Sequence, residues 1–112
     1  MDVSQLHEYR TYVLKDGRYR DFVEAIRDMH GRWQFRSLID PEVLLVHTDD
    51  GALRPRDEDG LIGKDETAGH IEDVLYEMTV EDCFWYFTQN VLPDIRALKA
   101  RVDALDARTQ SP

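Results

Sequence analysis

The stretch WQFRSLIDPEVLLVHTDDGALR, residues 33–54, holds the clearest pattern of secondary structure in the chain. Trp33 and Phe35 alternate with polar residues, and this period of two predicts a β-strand. Asp40-Pro41 and Asp50-Gly51 are turn-forming pairs, and each precedes another short, largely apolar segment. We therefore predict a small antiparallel β-meander over about residues 33–54.

The segments on either side of the meander are predicted to be helical. Apolar residues recur there at steps of three and four, the period of an α-helix with one buried face. A capping-box pattern from Thr79 to Asp82 predicts the start of another helix, which contains the apolar run CFWYF at 83–87. The predicted helices before it span residues 4–14 (where a strand is the alternative), 18–30 and 67–78. The predicted fold class is therefore α+β, with residues 1–112 forming a single domain.

The C-terminal helix, predicted over residues 92–108, carries a heptad pattern. From Val91 onward its apolar residues follow one another at steps of four, three, four and three. Such a pattern places β-branched residues at the a positions and leucines at the d positions, which favours a parallel two-stranded coiled coil. The a positions are Ile95 and Val102, and the d positions are Leu98 and Leu105.

The charged residues that flank this seam are complementary. In a parallel coil Asp94 would face Lys99 of a second copy, and Arg101 would face Asp106. The same stripe could instead pack on the protein's own core, so both interpretations stay open. The aromatic run extends the predicted dimer interface, because its rings cannot all point inward from one helix. The predicted interface residues are Phe84, Trp85, Phe87, Ile95, Leu98, Val102 and Leu105.

The net charge of −9 is concentrated in the middle of the chain. Residues 40–82 contain 14 acidic and 3 basic residues, a net charge of −11, whereas the segments before and after carry +1 each. A field of this sign disfavours direct binding to nucleic acid and favours a basic protein partner. The alternative is that the acidity only maintains solubility.

We therefore expect a small non-enzymatic interaction protein that binds a basic protein, such as one that itself grips nucleic acid. Viral inhibitors of the phage-encoded type work in this way, by presenting carboxylates that imitate phosphates. The predicted contact residues are Asp49, Asp50, Asp57, Glu58, Asp59, Asp65, Glu66, Glu72 and Asp73.

The sequence PRDEDGLIGKDE at 55–66 resembles an EF-hand calcium loop. Asp57, Asp59 and Glu66 match ligand positions, and a glycine stands at the sixth position. Pro55 replaces the first carboxylate, and the preceding segment is predicted as a strand rather than a helix. We therefore predict an acidic loop without a metal ion, with a calcium site as the alternative.

The alternative function is that of a small enzyme or ligand-binding protein with a pocket near the aromatic run. His47 and Asp49 share one face of a predicted strand, and His70 could complete a metal site of two histidines and one carboxylate. The sequence contains no phosphate-binding loop, nucleophile elbow or zinc-protease motif. The catalytic residues of such an enzyme therefore stay unknown, and we predict no cofactor.

The run YVLKDGRYRDFVEAI at 12–26, followed by GKDE at 63–66, resembles the opening helices of NTF2-like α+β cone proteins. This resemblance implies a central pocket that serves small molecules or protein binding. The long C-terminal strands of that family correspond here to segments predicted as helices, so no functional residue is carried over.

The remaining composition bears on the compartment. Cys83 is the only cysteine, so no intrachain disulfide can form, which suits a reducing environment. The N-terminus MDVSQLHEYR lacks the features of a signal peptide, and no apolar run reaches the roughly 20 residues of a membrane helix. We therefore expect a cytoplasmic protein without a membrane partner.

Overall fold

The computed structural model describes residues 1–16, 19–57, 59–60, 62–63 and 66–109. Within them the strands are β1 (Thr11–Asp16), β2 (Tyr19–Arg27), β3 (Trp33–Ser37), β4 (Leu44–His47), β5 (Ala52–Pro55), β6 (Gly69–His70) and β7 (Leu75–Glu77). The helices are α1 (Ile71–Val74), α2 (Val80–Tyr86) and α3 (Leu92–Thr109), with a π-helical segment, Phe87–Val91, between the last two. The chain forms two compact units, Met1–Met78 (the sheet unit) and Thr79–Pro112 (the helix unit).

The strands of the sheet unit form one antiparallel sheet in the order β6-β5-β4-β3-β2-β1-β7. Each strand from β1 to β5 pairs with its successor, whereas β7 returns to pair with β1. The two edges of the sheet, β6 and β7, are therefore joined only by α1, a helix of four residues and about 6 Å. A sheet whose edges are connected by so short a helix has to curl around its inner face.

The inner face of the curled sheet carries the hydrophobic core. Phe35 of β3 is fully buried between its cross-strand partners Ala25 and Leu45. The hydroxyl of buried Tyr12 accepts a hydrogen bond of 2.8 Å from the His7 N–H, so this polar atom is satisfied. The core cluster comprises Leu6, Tyr12, Leu14, Val23, Ala25, Trp33, Phe35, Leu45, Leu53, Ile71, Val74 and Leu75.

The predicted α+β class is confirmed, and so is the meander over about residues 33–54. Strands β3, β4 and β5 cover this stretch, and Gly51 in the second turn has a φ of +85°. The predicted C-terminal helix is present as α3. None of the described helices combines the length and the apolar character needed to cross a bilayer.

The helix predicted over residues 18–30 is wrong, because β2 occupies most of this segment. Val23 and Ala25 are buried on the inner face of the strand, and Phe22 is buried on the opposite face. A strand that is buried on both faces loses the simple alternation of apolar and polar residues. Steps of three and four then arise without a helix, and the two patterns cannot be told apart.

The helices predicted over residues 4–14 and 67–78 are also largely wrong. The first segment overlaps a short 3-10 turn, Val3–Gln5, and contains most of β1. In the second, only α1 is helical, and Leu75–Glu77 pairs with β1 instead. Pairing with the sheet edge outweighs the helical periodicity in this segment, because it satisfies backbone groups at a buried edge.

The helix unit begins as its sequence predicts. The Thr79 hydroxyl accepts a hydrogen bond of 3.2 Å from the Asp82 N–H, and the Asp82 carboxylate accepts one of 3.0 Å from the Thr79 N–H. Pro93 lies in the first turn of α3 and has no N–H to donate. The preceding π-helical segment accommodates this loss, and the Leu92 N–H donates to the Phe87 carbonyl five residues back.

Candidate functional site

Two acidic segments that are distant in sequence meet at one end of the sheet unit. The β4–β5 turn and α1 lie side by side, because the Ile71 N–H donates a hydrogen bond of 2.9 Å to the Gly51 carbonyl. Each of the two segments contributes two exposed acidic residues. We refer to these four residues as the acidic end: Asp49, Asp50, Glu72 and Asp73.

Asp50 is the most firmly held carboxylate of the acidic end. It accepts hydrogen bonds from the Thr48 hydroxyl and from the Ala52 N–H, the latter at 3.2 Å, and it pairs with the Arg54 guanidinium at 2.8 Å. The Thr48 hydrogen bond and then the Arg54 hydrogen bond lower the pKa of Asp50. The turn thus holds an ionised carboxylate in a fixed orientation, with part of its charge already balanced by Arg54.

Two histidines border the acidic end. His70 caps α1, since its Nδ1 accepts a hydrogen bond of 3.3 Å from the Glu72 N–H. His47 is half-buried at the end of β4. Burial lowers the pKa of His47, the charge of His70 lowers it further, and Asp49 and Asp50 act in the opposite direction.

These histidines do not complete the metal site considered from the sequence. His47, Asp49 and His70 lie in the same part of the sheet unit, but the Nδ1 of His70 is engaged with the backbone of α1. Among the residues that the structure describes, no three His, Cys, Asp or Glu side chains are grouped so that they could hold a metal ion. His70 instead has a structural role as a helix cap.

The calcium-like segment 55–66 folds as a narrow turn in its described part. Arg56 and Ile62 form an antiparallel bridge, and the Gly60 N–H donates a hydrogen bond of 3.0 Å to the Asp57 carbonyl. Gly60 has a φ of +82°, which suits the left-handed position of such a turn. This geometry differs from an EF-hand loop, in which oxygens from along the segment converge on one point.

The other predicted contact residues extend away from the acidic end. The Arg54 guanidinium donates a hydrogen bond of 3.4 Å to the Glu66 carbonyl, so Glu66 lies beside β5. Asp57 and Asp59 follow the far end of β5 and are exposed. A strand of four residues separates them from the β4–β5 turn by about 13 Å. Two predicted contact residues lie outside the described residues: Glu58 and Asp65.

Two shallow clefts among the described residues of the sheet unit bear on the enzyme alternative. One of about 280 Å³ lies beside Tyr12 and Glu77, and one of about 180 Å³ lies between Arg32 and Arg56. Neither of these clefts is lined by His47 or by a residue of the aromatic run. The inner face of the sheet, where a central pocket would lie, is filled by core side chains.

The predicted dimer residues of the helix unit lie at its surface. The exposed fractions of Ile95, Leu98, Val102 and Leu105 are 49%, 60%, 47% and 58%. Phe84 and Phe87 are 70% and 44% exposed and share a helical face, because three residues correspond to nearly one turn. Trp85 is 37% exposed and projects about 100° away from Phe84 around the helix.

Sequence reasoning did not single out two residues that shape the acidic end. Thr48 could have been found, since Thr and Asp two residues apart before a glycine are typical of a side-chain-stabilised turn. Arg54 could not, because its contact with Asp50 depends on how β5 continues after the turn. A buried pair was also missed: the Ser37 hydroxyl donates to Asp21 at 2.9 Å.

Comparison with known proteins gives no matching family model, no similar curated protein and no similar solved structure. The function of the protein therefore has to be inferred from its surfaces and their charges.

Proposed function

We propose that this protein is a small non-enzymatic interaction protein that binds a basic protein partner through its acidic end. The observation that carries the proposal is the contact between the β4–β5 turn and α1, which gathers four exposed carboxylates at one end of the sheet unit. These carboxylates come from sequence segments about 20 residues apart, so their grouping is a property of the fold.

The chemistry of such a surface favours a partner rich in arginine and lysine. Carboxylates attract cationic side chains over a distance set by the ionic strength and accelerate association with a complementary surface. A basic surface that normally grips phosphates offers the same pattern of donors to carboxylates. The protein would then compete with nucleic acid for that surface, which is the mode of action of an inhibitor.

The protein is further proposed to act as a homodimer through the helix unit. The exposed apolar seam of Ile95, Leu98, Val102 and Leu105 supports this part of the proposal, since a helix with such a face gains stability when the face is covered. The interface would also include Phe84, Trp85 and Phe87. A dimer presents two acidic ends, so a partner with two basic sites would bind with avidity.

Charge-neutral substitutions at the acidic end test the partner proposal. The variant Glu72→Gln/Asp73→Asn removes two exposed carboxylates of α1, and the matched control Asp16→Asn/Glu77→Gln removes two exposed carboxylates elsewhere on the sheet unit. Binding of a fluorescent arginine-rich peptide, measured by anisotropy at low and high salt, should weaken several-fold in the first variant only. The affinity for a basic protein purified from the host should likewise fall in the first variant and stay unchanged in the control.

Two results would contradict the partner proposal. An equal loss in both variants would mean that net charge alone attracts the peptide. Binding that does not change between low and high salt would mean that electrostatic attraction is not its basis.

Light scattering tests the dimer separately. Leu98→Asp places a charge in the seam and should give a monomer, whereas the matched control Ala97→Asp adds the same charge one position away from the seam and should remain dimeric. A wild-type protein that is monomeric at micromolar concentration would refute self-association without affecting the peptide-binding result.

A further inference from the structure

We infer that the second copy of the chain lies parallel and in register along the seam, with Arg101 of each copy facing Asp106 of the other. This inference specifies the orientation of the homodimer in the proposed function and therefore rests on that proposal. The occupant of the exposed helix face is therefore a second copy of this chain, and the charges beside the face determine its direction.

The apolar face is longer than the heptad seam alone. Towards the N-terminus of the helix unit it continues through Val91 and Phe87 to Phe84 and Val80, at steps of four, four, three and four from Ile95. Val80 and Phe84 are 73% and 70% exposed. The repeated step of four coincides with the π-helical segment, so the regular heptad pattern, and with it the inferred register, applies to α3.

In a parallel arrangement the flanking charges attract. Residues at g positions face the following e positions of the second copy, so Asp94 meets Lys99 and Arg101 meets Asp106. Each pair occurs twice in the symmetric dimer. Within one helix Lys99 also pairs with Asp103 at 2.7 Å.

In an antiparallel arrangement the charges that flank the same seam largely cancel. Burying the four seam residues of both copies requires Ile95 opposite Leu105 and Leu98 opposite Val102, so residues whose numbers sum to about 200 face one another. Arg101 of one copy would then approach Arg101 of the other, and Lys99 would approach Lys99, whereas Asp94 of each copy would approach Arg108 of the other. Two repulsive contacts therefore offset two attractive ones, while all four pairs of the parallel arrangement attract, so the parallel arrangement is favoured.

Disulfide trapping distinguishes the two directions. In a Cys83→Ser background, Leu105→Cys places a single thiol at the d position near the end of α3. In the parallel dimer the two thiols are adjacent, whereas in the antiparallel dimer they lie about 15 Å apart, beyond the reach of a disulfide. Mixing this variant with an Ile95→Cys variant supplies the pair of positions that meets only in the antiparallel dimer.

We expect Leu105→Cys alone to form a covalent homodimer in a glutathione redox buffer. A disulfide between the Ile95→Cys and Leu105→Cys chains, without the homodimer, would overturn the parallel arrangement and leave the proposed dimer intact. A wild-type monomer in light scattering, with no disulfide in either experiment, would overturn both, while peptide binding at the acidic end would remain a separate measurement.

A charge reversal provides a second test that keeps the seam unchanged. Arg101→Glu should raise the dimer dissociation constant about five-fold in the parallel arrangement, because it converts two attractive pairs into repulsive ones. Asp106→Lys in the same chain should restore the affinity. In an antiparallel dimer Arg101→Glu exchanges one like-charge contact for another, so an unchanged dissociation constant would contradict the inference.

Discussion

The sheet unit and the helix unit treat their apolar residues in opposite ways. The buried apolar side chains among the described residues lie between Leu6 and Leu75, in the sheet unit, where they face one another across the curled sheet. In the helix unit, by contrast, large apolar side chains between Val80 and Leu105 are exposed, with exposed fractions from 37% to 73%. Substitutions in the sheet should therefore act on folding, and substitutions on the helix face should act on association.

The largest effect is expected from Phe35→Ala in the sheet. Phe35 is fully buried, so the substitution leaves a cavity and should lower the free energy of unfolding by about 3–5 kcal/mol. The matched control is Phe84→Ala in the helix unit, which removes the same side chain from an exposed site and should change the unfolding free energy by less than about 0.5 kcal/mol. Urea denaturation, carried out at a protein concentration low enough to favour the monomer, measures the unfolding free energy of both variants.

The unfolding free energies of Phe35→Ala and Phe84→Ala together test whether the apolar residues of the two units have different roles. Equal losses of stability for the two phenylalanines would mean that the helix face is a folding core as well, and not a surface for association. A loss of dimer in light scattering for Phe84→Ala, with unchanged urea stability, would sharpen the distinction.

The next effect concerns the acidic end, where a glycine and a histidine are in close contact. Gly51 has a φ of +85°, and a Cβ at this position would lie 2.2 Å from the Nε2 of His70. Gly51→Ala should therefore cost more than the about 1–2 kcal/mol that the left-handed backbone alone imposes. Gly31→Ala is the control, because Gly31 has a similar φ of +76° and open space around it.

A double-mutant cycle isolates the contact with His70. His70→Ala should recover the part of the loss that exceeds the Gly31→Ala value, since it removes the imidazole that a Cβ would meet. Additive losses for Gly51→Ala and His70→Ala, measured by urea denaturation, would show that the turn and α1 are not coupled through this contact.

A smaller effect is expected at the start of the helix unit. Thr79→Ala removes the hydroxyl that caps α2 and should destabilise this helix by about 1 kcal/mol. Amide hydrogen exchange should show faster exchange in α2, with the protection of β1 to β5 unchanged. Faster exchange throughout the sheet would mean that the two units unfold together.

The same contrast explains which parts of the fold could be predicted from the sequence. Strand β3 was predictable because one of its faces is buried and the other is not, so Trp33 and Phe35 alternate with polar residues. Strand β2 was not, because Phe22 and Val23 are both fully buried and leave no alternation to read. Local patterns report burial on one side only, and the second side depends on the rest of the molecule.

The acidic end was predictable in composition but not in arrangement. The carboxylates of both segments are visible in the sequence, as is the turn at Asp50-Gly51. Their proximity depends on the pairing of β5 with β6, which brings the residue after His70 against Gly51. The periodicity of the sequence instead predicts a helix over residues 67–78. A continuous helix there could not pair with β5 as β6 does.

The smallest predicted effect is a dependence of stability on pH, and it arises beside the acidic end. Burial and the charge of His70 lower the pKa of His47 from its usual 6.5, so below about pH 6.5 the unfolded chain takes up a proton before the folded protein does. Stability should therefore fall as the pH falls from 7 to 5, by only a fraction of the about 1.4 kcal/mol per pH unit that a full proton difference gives. The pKa values of Asp50 and Asp28 are lowered from their usual 3.8, so protonation of these carboxylates costs stability only at pH values below about 3.8. They therefore do not contribute to the slope between pH 7 and pH 5. His47→Gln should flatten the slope of unfolding free energy between pH 7 and pH 5, and equal slopes in the two proteins would show that the environment of His47 does not distinguish its charged form from its neutral form.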